Sequence, residues 1–159
     1  MTRGILSVLV MMGISGVTAA ESVSDWRKSA DTPQKLERLI EALPNAANIM
    51  IEVGARYQNL YWAAKQGKWE FTAYQAEELK ELIEKLQVVS PKRAATADGF
   101  LGAVFPMLPE TIKMRDWKKF ELAFEQMRHE CMICHGKNEM GFVQLPVPRR
   151  ATSPVLNME

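Results

Sequence analysis

This chain of 159 residues is poor in the groups from which most sites are built, with two cysteines, two histidines and no charge surplus, 20 Lys plus Arg standing against 19 Asp plus Glu. Balanced charge leaves no basic footprint for nucleic acid. Alternating runs of β-branched residues, the mark of half-buried strands, are absent, which argues against a sheet. No apolar run reaches the roughly 20 residues of a membrane span. Nor does any constellation resemble a nucleophile with its base.

What is present lies near the end. Cys131, Met132, Ile133, Cys134 and His135 follow one another. Two cysteines separated by two residues reach both vinyl groups of a haem, and a histidine directly after the second is then held over the iron. A thioredoxin-like redox pair shares the spacing, but it sits at a helix start after a strand, and nothing before Cys131 reads as that strand. A zinc site is the other rival, and its four ligands would take the chain's entire stock of cysteine and histidine, Cys131, Cys134, His129 and His135. The expected cofactor is therefore one covalent haem c, attached through Cys131 and Cys134 with His135 as the axial metal ligand.

The N-terminus points the same way. Met1, Thr2 and Arg3 give a positive start, residues 5–17 are apolar, and small residues follow to Ala20. This reads as a cleaved secretory signal peptide over 1–20. Export to a periplasm agrees with covalent haem attachment, which requires the apoprotein to cross the membrane. Both cysteines are taken by the motif, so no structural disulfide is expected.

Apolar residues recur at helical spacing over most of the remaining chain, and the expected fold class is all-α, an antiparallel four-helix bundle within 44–142. A short amphipathic helix, with Leu36, Leu39 and Ile40, falls in the N-terminal segment 21–43, and an extended tail occupies 143–159. The first bundle helix carries Ala46, Met50, Val53, Tyr57, Leu60 and Ala64 on one seam, and Gly67 ends it. The second carries Ala76, Leu79, Ile83 and Leu86 and stops at Ser90 and Pro91. Gly99, Pro106 and Pro109 predict a kinked or two-part third helix. Asp116 is the expected N-cap of the last, whose seam reads Trp117, Phe120, Phe124, Met127, Cys131 and Cys134.

In an up-down-up-down bundle the end of the last helix lies beside the start of the first, which brings Met50 towards the motif as the candidate second metal ligand. Methionine is also common core filler. Tyr57, on the same face, is a candidate to approach the iron or a bound molecule, against the plainer reading of a core tyrosine with its hydroxyl satisfied locally. Arg56 is a candidate partner for a haem propionate. Met140 has too short a tether to His135 to reach the other haem face, and Met107 sits beside the proline bend. Trp62, Trp69 and Tyr74 read as packing. Arg149 and Arg150 form a small positive patch for docking.

Taken together, these residues resemble the class II c-type cytochromes, the four-helix-bundle group that includes cytochrome c prime, over about 44–142. The likeness is strongest to small bacterial monohaem members with Arg-x-x-x-Leu-(Tyr or Trp)-Trp-Ala and Trp-x-x-x-x-Tyr phrases, here residues 56–63 and 69–74, and Gly-Phe after the motif, here Gly141 and Phe142. Cytochrome c prime ends soon after its haem histidine, whereas this chain continues to Glu159. Some closer relatives carry histidine where this chain has Tyr57, so a distal histidine does not transfer. His129 is no substitute, since it precedes Cys131 on the same helix.

The resemblance implies a methionine near the start of the first helix in six-coordinate members, where Met50 stands, and an apolar distal pocket in five-coordinate ones. The expected function is a periplasmic electron carrier, not an enzyme, docking transiently with periplasmic redox proteins. The alternative is a five-coordinate protein that binds nitric oxide, carbon monoxide or a similar small ligand. A subunit role in a larger complex, attached through the tail, is a third reading. Related bundles often pair through their first two helices, so a homodimer is in view.

Overall fold

In the computed structural model residues 25–151 and 156 are described, and among them every regular element is helical. The signal-peptide reading, on residues 1–20, lies outside the described residues. The chain divides into two compact units at Glu41. Two helices come before Pro44, α1 (Trp26–Ser29) and α2 (Thr32–Ala42), and on α2 Leu36, Leu39 and Ile40 are exposed.

The second unit holds α3 (Ala46–Lys65), α4 (Trp69–Val89), α5 (Ala94–Val104), α6 (Leu108–Lys113) and α7 (Trp117–Lys137). Asn45 caps α3, its side chain accepting from the Ala47 and Asn48 amides at 2.9 and 3.1 Å while Asn48 answers its own N–H, so orphan donors of the first turn are met. Gly67 takes a φ of +71° in the turn to α4, a conformation open to glycine at little cost. Ser90 and Pro91 end α4, and a 3-10 turn at Pro91–Arg93 leads into α5. The third segment breaks at Pro106, which cannot donate to a continuing helix, and Pro109 falls in the first turn of α6. Gly99 does not interrupt: it lies inside α5. Asp116 caps α7 by accepting from the Lys119 amide at 3.1 Å.

Helix α3 packs on α4, α4 on α5 and α6, both of these on α7, and α7 meets α3. The fully buried side chains include Leu60, Leu79, Leu108, Phe120, Phe124 and Met127. Each contributes about 1.5–3 kcal/mol through burial. Along α3 the expected seam is buried at Val53, Tyr57, Leu60 and Ala64 but only half-buried at Ala46 and Met50, where the packing opens.

Candidate functional site

The opening is a cavity of about 450 Å³, within the size range of small-molecule and cofactor sites, with walls from α3, α4, α5, α7 and the segment after α7. Its surface is mostly apolar, from Val53, Leu79, Ile83, Leu86 and Phe100. It stays hollow because small residues, Ala46, Ala47, Gly54 and Ala97, stand where larger ones would close it. Gly54 is the most telling. A glycine inside a helix costs about 1 kcal/mol relative to alanine. Its φ is not in the positive range, and a Cβ built on it meets no atom within 4 Å. Neither backbone nor neighbouring protein atoms call for glycine there.

Cys131, Cys134 and His135 all line this cavity. They do so because positions three and four apart share a face of α7. Both cysteines are free thiols, and burial, with Cys134 close by, pushes the Cys131 thiol up to about 12. A reactive thioredoxin-type cysteine has the opposite shift, since its surroundings favour the thiolate. Among the described residues no three His, Cys, Asp or Glu side chains are grouped to hold a metal by themselves.

His135 Nδ1 lies 3.3 Å from the carbonyl oxygen of Val143. A carbonyl can only accept, so as a hydrogen bond this contact puts a proton on Nδ1, and in that neutral tautomer Nε2 carries the lone pair that can ligate a metal. Asn138 closes the same end, its Nδ2 donating at 2.8 Å to both the Cys134 carbonyl and Thr96 Oγ1, which ties α7 to the start of α5.

The other sequence candidates separate. Met50 lines the cavity, half-buried, and so does Met140, while Met107 packs against the core without joining the lining. Tyr57 also lines it, but its ring stacks on Phe124 at 4.8 Å and its hydroxyl donates to the Pro146 carbonyl at 2.9 Å. Burial holds its phenol well above the ordinary range, so it is a proton-bearing donor already in use. Arg56 does not line the cavity. Its guanidinium pairs with Glu52, one turn earlier on α3, at 3.1 Å and with Glu78 on the facing α4 at 3.2 Å. The arginine on the cavity is Arg93, hydrogen-bonded to Ser90 Oγ at 2.8 Å. Sequence reading missed it because Arg93 belongs to a short 3-10 turn with no periodic pattern. Gly54 was legible as a mid-helix glycine. His129, Arg149 and Arg150 are exposed and away from the cavity.

Among the described residues no helix is long and apolar enough to cross a membrane. Comparison of the chain with family models, with curated proteins and with solved structures found no match.

Proposed function

We propose that this chain is a periplasmic monohaem c-type cytochrome of the class II kind, its helices α3, α4, the broken pair α5–α6 and α7 forming a four-helix bundle, and that it carries electrons. The observation that carries this reading is the meeting of Cys131, Cys134, His135 and Met50 on one apolar cavity of about 450 Å³. The residues fit the group. Two thiols in the binding spacing, a histidine whose Nδ1 is engaged, and a helix face emptied at Gly54 are what a covalently held planar macrocycle needs.

Bound iron supplies one-electron ferric and ferrous chemistry. Cys131 and Cys134 would hold the group by thioethers, His135 Nε2 and the Met50 thioether would ligate the iron, and the mostly apolar walls would favour a raised potential. Arg93 is the cation available to a carboxylate at the cavity. Redox partners in the periplasm would dock transiently over the cavity mouth.

A second reading, a five-coordinate protein that takes up a small diatomic ligand, is favoured by the open space above Gly54. The ferric absorption spectrum of protein matured with periplasmic haem machinery, beside its Met50→Ala variant, separates the two. A weak far-red sulfur-to-iron band that the variant loses is the expected result. High-spin spectra for both, with ready carbon monoxide uptake by the ferrous form, would install the second reading instead.

A further inference from the structure

The segment after α7 is bound down at successive carbonyls. It begins with a helix-ending turn in which the Met140 amide donates to the His135 carbonyl at 2.8 Å and the Glu139 amide to Gly136 at 3.3 Å, with Glu139 at a φ of +64°. That turn reverses the chain, and the partners then step back along α7. Val143 accepts from His135, Leu145 accepts from Arg128 Nη1 at 3.1 Å, and Pro146 accepts from Tyr57 on α3 at 2.9 Å. Pro146 and Pro148 have no N–H to leave unpaired, so a stretch held mainly by its carbonyls strands few donors. Arg128 is itself steadied by Glu125, which accepts from its Nε at 2.9 Å and from Nη2 at 2.7 Å. Met140, Val143 and Leu145 from this segment form part of the cavity wall.

The proposed electron-carrier site uses His135 but none of these anchors. We infer that residues 140–146 are a strap that orients His135 through the Val143 carbonyl, with Tyr57 and Arg128 as positioning residues that latch it. Tyr57 thereby acquires a role other than ligation. The hydrogen bond to Nδ1 fixes tautomer and ring direction and makes Nε2 a stronger donor to a metal. The tautomer consequence belongs to the protein alone, whereas the consequence for iron rests on the proposed function.

The test uses the full chain, wild type and the Tyr57→Phe/Arg128→Met double variant, with each single variant and Arg128→Lys beside them. Nitrogen-15 NMR of the imidazoles in the haem-free chain reads the first consequence. His135 is expected as the Nδ1–H tautomer in the wild type and as an exchanging mixture in the double variant, His129 staying the same in both. Arg128→Lys, which keeps a donor for Leu145, is expected to restore the wild-type tautomer. An unaltered His135 in the double variant would overturn the strap. If the double variant does not give a cooperative thermal transition, Arg128→Met alone decides by the same criterion.

In haem-loaded protein the latch variants are expected to shift the midpoint potential upward, because a weaker histidine donor stabilises ferric iron less. An unchanged potential counts against the strap. Mass spectrometry of the matured wild type addresses the haem reading by itself: if no covalent adduct forms there, the proposed function fails, while the tautomer experiment still decides the strap.

Discussion

Helix α3 passes through two different surroundings. From Leu60 to Ala64 it meets a solid aromatic end, where Tyr61 lies 5.3 Å from Trp117 and 5.0 Å from Phe124, and Phe124 in turn 6.0 Å from Phe120. Lys65 spreads its stem there, its ammonium 5.1 Å from the Trp62 ring centre. From Ala46 to Tyr57 the same helix faces the hollow. One half is filled by aromatic side chains, and the other faces the hollow with Met50 and Val53 set among the smaller Ala46, Ala47 and Gly54. The difference teaches that the hollow follows from residue choice. Both halves use the same helices and the same seam spacing, and the change from aromatic to small side chains is what opens the space.

The largest effect should come from emptying the solid end. Phe124→Ala removes a fully buried ring that stacks on Tyr57 and touches Tyr61, and should cost about 3–5 kcal/mol. Met50→Ala in the haem-free chain removes a half-buried side chain that already borders open space and should cost well under half as much. Urea unfolding, read at constant slope, measures both. Equal losses would mean that the hollow is closed in solution and that the contrast between the two ends is not real.

How far this was readable beforehand depended on the kind of signal. The helices announced themselves by periodicity and caps: Asp116 caps α7, Ser90 and Pro91 end α4, and the third segment breaks where Pro106 removes a donor. The motif was readable because five adjacent residues carry it, and its helix brings all three chemical groups to one cavity. What escaped was set by tertiary placement. Arg56 looked available for a propionate, and its pairing with Glu78 on the facing helix, 22 positions on in sequence, could not be seen from spacing. The tail looked like a mere extension, because carbonyl anchors such as those of Val143, Leu145 and Pro146 leave no trace in side-chain pattern. Thr72 and Gln75 are buried polar residues inside the α4 seam that apolar spacing alone passes over.

The boundary between the two ends is Tyr57, and pH should expose it. Below the ordinary phenol value of 10.0 the hydroxyl is protonated in both folded and unfolded chains and adds no pH dependence. Above it the unfolded chain releases the proton while the buried, bonded phenol keeps its own. The native state then binds more protons, and stability falls by about 1.4 kcal/mol per pH unit. Tyr57→Phe should lack that slope, so the stability difference between the two proteins should itself change with pH, measured by urea unfolding from pH 9 to about 11. Identical slopes would show that solvent in the hollow reaches the hydroxyl, and the boundary would have to move one turn into the aromatic end.

The smallest change probes the emptiness itself. In the haem-free chain Gly54→Ala places a methyl where no atom lies within 4 Å and gives a mid-helix position a better helix former. It should stabilise by about 1 kcal/mol. On the proposed haem reading the same methyl in the loaded chain would have to share the space with the bound group, so the gain should shrink to nothing or turn into a loss. The two unfolding midpoints, each compared with its own parent, make the measurement. The comparison is informative because helix propensity is common to both states and cancels, leaving only what occupies the hollow. Equal gains in both states would mean that whatever the cysteines hold does not approach α3 at Gly54, and that glycine there serves no cofactor.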